Sequence, residues 1–234
     1  MKHVCLLFLL LSFYQSFAQK KSKKEELITI HTPYGEMKAV LYDQTLLHKQ
    51  NFLKLTKDKF YDSLLFHRII EGFMIQGGDP NSKNAKAGER LGGGGGNLER
   101  IPAEFRPELF HKKGALAAAR DNNPEKKSSA CQFYIVQGKT YNDSDLEVQL
   151  KRMAGTRMPT PTQRETYKTL GGTPHLDGNY TVFGQIISGL AVLDSIAHQP
   201  KDPADRPLKD IRMSMSVEKI KKKKITKQYG YKFE

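Results

Sequence analysis

Residues 66–80, FHRIIEGFMIQGGDP, place one arginine in an apolar run that is otherwise typical of a buried strand. Arginine is seldom buried without a partner, so Arg68 in this setting indicates either a structural ion pair or a functional role. Phe73, Met74 and Gln76 follow it, and strand alternation would place every second residue on one face. A guanidinium beside aromatic and thioether side chains suits a ligand that is mostly apolar but offers a carbonyl or a lone pair.

A peptide that contains proline fits this description. The amide bond before proline isomerises over roughly tens to hundreds of seconds, because rotation breaks the resonance of its C–N bond. At the twisted transition state the nitrogen regains a basic lone pair, to which a guanidinium in a dry pocket can donate while apolar walls hold the ring. This chemistry needs neither a nucleophile nor a metal. The competing interpretation of the same residues is an arginine that is paired structurally across a barrel.

The run FHRIIEGFMIQGGD resembles the signature of the cyclophilin family of peptidyl-prolyl cis-trans isomerases. The resemblance covers roughly residues 27–217, apart from an inserted segment, and further motifs follow in the family's order: NFLKL (51–55), KFYDSLLFHR (59–68), IPAEF (101–105), GALAAA (114–119), QFYI (132–135) and LDGNYTVFGQI (176–186). It implies a mainly β fold, an eight-stranded antiparallel β-barrel closed by two helices, with proline bound on the outer face and no cofactor.

Carried over by position, the resemblance makes Arg68 the catalytic arginine. Gln76 and Gln132 match the glutamines that position the substrate backbone and the arginine. The implied substrate-binding residues are Phe73, Met74, Gln76, Ala119, Arg120, Gln132, Tyr134, His175, Leu176 and Tyr180. The implied partners are proline-containing segments of unfolded or folding proteins.

Three of these residues depart from the family pattern. Arg120 replaces an asparagine that clamps the substrate backbone, and Tyr180 stands in for a histidine. His175 occupies the place of the tryptophan or phenylalanine that closes the pocket, so by analogy sensitivity to cyclosporin should be reduced. These changes leave an alternative open: a proline-peptide binding module or holdase chaperone with little turnover.

Other catalytic patterns are missing from the sequence. It has no Ser/His/Asp motif in a strand–turn–helix context, no HExxH and no paired cysteines, so no metal site is expected. His67, His111 and His175 are scattered, which is typical of surface or boundary histidines. The five glycines at 92–96 are followed by Asn97 rather than by Gly-Lys-Ser/Thr, so they indicate a flexible loop and not a phosphate-binding loop.

The periodicity of the chain predicts the elements that must position these residues. LITIHT (27–32) and EMKAVLY (36–42) alternate around Pro33-Tyr34-Gly35, which predicts a hairpin. Helices are predicted over 46–61, with Thr45 as N-cap, and over 189–199. Further strands are predicted at 64–70, 72–76, 114–119, 131–137, 180–187 and 211–220.

Residues 138–173 interrupt this β pattern. Leu146, Leu150 and Met153 share one face of a short helix that Asp143 or Ser144 would cap. A second helix is predicted to begin at a capping box formed by Thr160 and Gln163, and to end at Gly171-Gly172. The predicted helical hairpin lies between the strand of Tyr134 and the loop of His175. We expect it to pack on the main body at the rim of the pocket, where it would restrict or select protein substrates; a loop on the far side is the alternative.

The N-terminus reads as a secretory signal peptide over residues 1–18, with Lys2 before the apolar run Val4 to Leu11 and cleavage after Ala18. This run is too short to span a bilayer. The expected product is an exported, periplasmic monomer without membrane insertion, and nucleic acid is a poor candidate partner for it. Cleavage removes Cys5 and leaves Cys131 as a buried filler without a disulfide.

The chain is basic, with 38 Lys and Arg against 25 Asp and Glu. Much of this charge lies in KKSKK (20–24) and KIKKKKITKQ (219–228). Runs of like charge are usually solvated. We therefore predict a basic linker over 19–26, a cyclophilin-like domain over 27–217 and a basic C-terminal tail over 218–234.

Overall fold

The computed structural model describes residues 22–152 and 158–233. The predicted signal peptide therefore lies outside the described residues, and so does Met153. Each strand-like run of the sequence forms a strand: β1 (Lys24–Thr32), β2 (Gly35–Leu41), β3 (Phe66–Ile70), β4 (Met74–Gly77), β5 (Ala115–Ala118), β6 (Phe133–Val136), β7 (Val182–Ser188) and β8 (Ser214–Lys221).

The strands form one curled antiparallel sheet in the order β3-β4-β6-β5-β7-β2-β1-β8. The residues at or just before the start of the two outermost strands, β3 and β8, contact each other. Leu65 and Arg212 form an isolated β-bridge, and the Phe66 amide donates to the Ile211 carbonyl at 2.9 Å. These contacts bring the two edges of the sheet together. The predicted eight-stranded fold is confirmed as a barrel-like sheet.

Two helices pack against the main hydrophobic core, as predicted. Helix α1 (Leu46–Lys57) contributes Phe52 and Leu53, and helix α4 (Leu190–Ala197) contributes Leu193 and Ile196. Thr45 holds the N-cap position of α1, but its side chain makes no capping bond. Glu104 caps this helix instead, because its carboxylate accepts from the amides of Leu47 at 3.2 Å and His48 at 3.0 Å.

The segment 138–173 forms two helices, α2 (Asp143–Lys151) and α3 (Pro161–Thr169). Asn142 caps α2 rather than Asp143 or Ser144, since its side chain accepts from the Asp145 amide at 2.8 Å. The capping box of Thr160 and Gln163 is confirmed. The helices pack on the body as expected; they share a small cluster of buried and half-buried residues: Phe110, Tyr141, Leu146, Leu150 and Tyr167.

The two charged ends of the chain correct the predicted linker and tail. Lys24–Glu26 belong to β1, which pairs with β8 as far as Lys221, and a further helix, α5 (Lys222–Tyr229), follows. Ile220 and Ile225 of this segment are buried beside Leu27 and Val40. Glu25, itself buried, pairs with Lys49 at 2.8 Å and Lys222 at 3.4 Å. Apolar burial and a paired carboxylate thus hold the basic segment on the sheet.

Within residues 22–152 and 158–233, no helix has the length and apolar character required to cross a bilayer. In the same residues, no group of three or more His, Cys, Asp or Glu side chains is arranged to hold a metal ion.

Candidate active site

Strand alternation divides the side chains of β3 and β4 between two faces. Ile69 and Ile75 enter the main core, whereas Met74 joins a second apolar cluster. Arg68 lies directly opposite Gln76 in the register of the two strands. The arginine is therefore not buried as the apolar run suggested, because its side chain lies on the other face of the strand and is 41% exposed. The dry setting expected for its guanidinium would require a bound substrate.

Most of the predicted site residues line one cavity of about 120 Å³. The lining residues are Arg68, Phe73, Met74, Gln76, Ala119, Arg120, Tyr134, Leu176 and Tyr180. Tyr134 faces Gln76 across β6 and β4 and Ala117 across β6 and β5, so three adjacent strands build the floor. The cavity combines the apolar side chains of Phe73, Met74 and Leu176 with the guanidinium groups of Arg68 and Arg120.

His175 and Gln132, the other predicted residues, lie beside this cavity. The imidazole of His175 stacks on Phe73 with ring centroids 5.7 Å apart, which matches its expected place at the pocket. Burial, helped by nearby His111, lowers the pKa of His175, so the ring is neutral at pH 7. Gln132 accepts from the Gln76 amide at 3.1 Å.

A second cavity, of about 270 Å³, adjoins the first and shares Gln76, Ala119 and Arg120 with it. Gln132 and the glycine loop 92–96 line it as well. The Gln132 amide donates to the carbonyls of Gly92 at 3.0 Å and Gly94 at 2.9 Å, so the predicted flexible loop is hydrogen-bonded to the site. A Cβ at Gly94 would lie 2.0 Å from Asp79 Oδ1, so this close approach requires glycine.

Arg120, which departs from the family's asparagine, is held between the two cavities. Its Nε donates to the carbonyl of Asn179 at 3.0 Å, and Nη1 donates to that of Asp121 at 2.9 Å. Its guanidinium carbon lies 4.7 Å from the centroid of the Tyr180 ring, a cation–π contact. Two departures from the family pattern, Arg120 and Tyr180, thus form one contact.

Asp205 is a site residue that the sequence did not identify. Its Oδ2 lies 3.6 Å from Arg68 Nε, and its Oδ1 lies 2.7 Å from Lys201 Nζ. The Asp205 backbone has φ of 65°, and its carbonyl accepts from the Ile69 amide at 2.9 Å. An aspartate in a proline-containing loop gives no indication in the sequence that it contacts Arg68, which lies far away along the chain.

The histidines correct the sequence prediction of surface or boundary positions. His111 is completely buried and His67 nearly so. Burial lowers the pKa of His67 to about 4, and its Nδ1 has no hydrogen-bond partner among the described residues. Cys131 is buried and unpaired as expected, and burial raises the pKa of its thiol.

His111 also connects the cavity floor to the interior. Its Nε2 lies 2.9 Å from the Tyr134 hydroxyl, and its Nδ1 lies 2.7 Å from Asp177 Oδ1. Asp177 directly follows Leu176 in the chain, and this adjacency to a predicted pocket residue was the available sequence signal. The signal was weak because an aspartate before glycine is equally typical of a turn.

The chain is similar to known proteins over most of its length. The family model for "Cyclophilin type peptidyl-prolyl cis-trans isomerase/CLD" matches residues 27–217. A Staphylococcus aureus (strain USA300) protein named as a peptidyl-prolyl cis-trans isomerase is 35% identical over 199 residues, with 85% of this chain and 94% of that protein covered.

Two other similarities differ in coverage. A Streptococcus pyogenes serotype M6 protein, named as a bifunctional phosphatase/peptidyl-prolyl cis-trans isomerase, is 38% identical over 187 residues; the match covers 79% of this chain but only 37% of that protein. The crystal structure of a Cryptosporidium parvum cyclophilin-type isomerase matches with a TM-score of 0.61 and 25% identity, covering 83% of this chain and 98% of that one. By motif, fold and family model together, this chain belongs to the cyclophilin-type peptidyl-prolyl cis-trans isomerases.

Proposed function

We propose that Arg68 accelerates X–Pro isomerisation by donating to the twisted amide while the adjoining cavity holds the proline ring. The single observation that carries this proposal is that Arg68 lines a cavity of about 120 Å³ together with the apolar side chains of Phe73 and Met74. Arg68 lies on β3 opposite Gln76 of β4, so both strands fix its backbone. A bound peptide would cover the exposed part of the side chain and strengthen its hydrogen bonds.

Each group of cavity residues contributes one part of the proposed isomerisation mechanism. Phe73, Met74 and Tyr134 provide apolar surface for the ring. A donor that binds the amide only when it is twisted lowers the barrier, because it stabilises the transition state more than the ground state. Gln76 lies beside Arg68, where it can bind the substrate backbone and keep the amide in register.

Arg68→Ala tests this mechanism. It should lower kcat/KM on a short proline tetrapeptide by about a hundredfold or more, the usual effect of losing one preorganised donor. Arg68→Lys keeps the charge but loses the planar fork, so it should recover only a small part of the activity. Exposed Arg90 offers the control Arg90→Ala, which should behave as wild type. Near wild-type turnover in Arg68→Ala would refute the assigned role.

Activity on the tetrapeptide is measured in a protease-coupled isomerase assay. Turnover by the wild-type protein in this assay would distinguish an isomerase from a binding module or holdase.

The proposed biological role is the folding of exported proteins. Its support is the N-terminal pattern of Lys2, an apolar run and Ser16-Phe17-Ala18. Cell fractionation and N-terminal sequencing should find the protein in the periplasm, beginning at residue 19. Recovery of the full-length chain in the cytosol would contradict this role.

The insertion is proposed to select protein substrates at the rim of the site. A groove of about 130 Å³ lies between the insertion, through Met158, Pro159 and Gln163, and a wall that includes Phe110 and Tyr180. Tyr180 lines the proposed proline cavity as well, so a peptide that leaves this cavity past Tyr180 would reach the groove.

Met158→Ser tests this selection, because Met158 is 53% exposed and its replacement should not disturb the fold. It should slow catalysis on a refolding protein several-fold and leave a short tetrapeptide unaffected. Val148→Ser, at a similarly exposed position of α2 outside the groove, is the matched control. Equal effects on both substrates, or none, would contradict a selecting role.

A further inference from the structure

A chain of hydrogen bonds runs from the insertion, through half-buried Asp177, to the floor of the proposed proline cavity. It begins at Tyr167 of α3, whose hydroxyl donates to Asp177 Oδ2 at 2.6 Å. Asp177 Oδ1 accepts from the backbone amide of His111 at 2.9 Å and lies 2.7 Å from its Nδ1. The chain ends where His111 Nε2 meets the Tyr134 hydroxyl at 2.9 Å. We call these four residues the relay.

The relay has a consistent set of donors and acceptors. With the proton of His111 on Nδ1, the imidazole donates to Asp177 and accepts from the hydroxyl of Tyr134. Burial raises the pKa of Tyr134 and that of Tyr167 well above the usual value, so both phenols keep the proton that they donate. Every link therefore has one donor and one acceptor, and a largely buried network whose polar groups are satisfied in this way restricts the positions of its members.

The relay touches the cavity at two places. Tyr134 forms part of the cavity floor. Its ring is nearly parallel to that of His111, with centroids 6.0 Å apart, and meets Tyr180 edge-on at 5.9 Å. Asp177 follows Leu176, another lining residue, so its three bonds also hold the loop that carries Leu176.

The insertion holds Tyr167 rigidly. The side chain of Tyr167 is completely buried, and its ring meets Phe110 edge-on at 5.5 Å. A Cβ on Gly172 would lie 2.7 Å from Tyr167 Cε1, so the glycine leaves room for the ring. Because α3 begins at a complete capping box, the helix that carries Tyr167 has a defined start.

We propose that Tyr167 is a positioning residue for the proline cavity, through which the insertion fixes Tyr134 and Leu176 from behind. The relay would make the inserted helices part of the active-site scaffold in addition to their place at the rim. This inference rests on the proposed role of the cavity as the proline site. It differs from the mechanism of Arg68, since the relay acts on the wall that binds the ring and not on the twisted amide.

The test is Tyr167→Phe, which removes one oxygen and keeps the ring. Loss of one hydrogen bond should raise the KM for a short proline tetrapeptide about fivefold while kcat changes little, because the affected contacts bind ground and transition states alike. Tyr141→Phe is the matched control: it also removes a buried tyrosine hydroxyl of the insertion, but one that donates to the Gly172 carbonyl at 3.3 Å. It should leave KM unchanged.

A second measurement, by NMR, reports on the conformation of the cavity itself. The methyl resonance of Met74, which packs in one cluster with Tyr134, should shift in Tyr167→Phe and stay in place in Tyr141→Phe. A purely structural role of Tyr167 would lower the melting temperature without a change in KM. Unchanged KM, with or without a shift of Met74, overturns the proposal.

Tyr134→Phe interrupts the same relay at its other end and carries the test alone if Tyr167→Phe folds poorly. It should raise KM to a similar extent, and the double variant should be no worse than either single one. Additive effects, or wild-type KM in Tyr134→Phe, overturn the proposal. Failure of the mechanism itself is distinct, because it would appear as retained kcat in Arg68→Ala.

Discussion

The guanidinium of Arg68 lies beside a carboxylate from a distant part of the chain. Strand β3 determines the direction of its side chain, but Asp205 is the charged group beside its guanidinium. Lys201 in turn pairs with Asp205, and the left-handed backbone of Asp205 keeps the carboxylate close to β3. The three residues form a short line of alternating charge that ends at the cavity.

Asp205→Asn should lower kcat/KM by about two- to fivefold, because a partly exposed ion pair is worth roughly 1 kcal/mol or less. Asparagine tolerates the left-handed conformation, so the fold should remain intact. The measurement is the tetrapeptide assay together with a thermal melt. Asp58→Asn, which removes an exposed pairing to Lys54 on α1, is the control and should keep full activity. Unchanged or higher activity in Asp205→Asn would show that the pairing does not orient the arginine.

At the scale of elements, helix α1 is stabilised by a residue outside its own sequence. The Glu104 carboxylate accepts from two amides of the first turn and lies 2.6 Å from His48 Nδ1. A carboxylate at a helix N-terminus also interacts favourably with the helix dipole. His48 continues the contact to the hydroxyl of Ser128 at 2.9 Å, so the cap joins α1 to two loops.

Glu104→Ala should therefore lower the free energy of unfolding by roughly 2 kcal/mol, the size expected for hydrogen bonds to a charged group. Thr45→Val, which keeps the volume of this buried side chain and removes its hydroxyl, should cost less, because the Thr45 hydroxyl makes no capping bond. Urea unfolding monitored by circular dichroism provides both values. A larger loss in Thr45→Val than in Glu104→Ala would contradict this account of the cap.

At the scale of the whole molecule, buried histidines make stability depend on pH. Burial lowers the pKa values of His48, His67 and His175 below the usual range, and that of His67 to about 4. The unfolded chain takes up protons on these groups near pH 6.5, whereas the folded chain does not. The stability that these three groups contribute is therefore fully present above about pH 6.5 and is lost as the pH falls through their lowered pKa values, which for His67 means toward about 4.

His67 alone should account for roughly 3 kcal/mol of this loss, from a pKa difference of about 2.5 units. Between pH 6.5 and 5 most carboxylates remain ionised, so the histidines dominate this window. Urea titrations at several pH values should show the decline, and His67→Gln should make it shallower. A free energy of unfolding that stays constant from pH 7 to 5 would contradict the assigned burial.

The sequence by itself determined the features that depend on neighbouring residues. Period-two alternation predicted the strands, helical spacing predicted α1 and α4, and Thr160 with Gln163 predicted the start of α3. The run around Arg68 also contains four of the residues that line the cavity, Arg68, Phe73, Met74 and Gln76, whereas the others were implied by the family resemblance. These patterns involve residues that are close together in the sequence, so they can be recognised without knowledge of the fold.

Only the tertiary structure decided which distant residues complete the site. The pairing of Asp205 with Arg68, the cap that Glu104 provides for α1 and the relay from Tyr167 to Tyr134 all join segments that the barrel brings together. The basic C-terminus is part of the fold for the same reason: Ile225 is buried there and Glu25 pairs with Lys222. Contacts of this kind depend on how the sheet closes, and no periodicity or spacing along the chain encodes them.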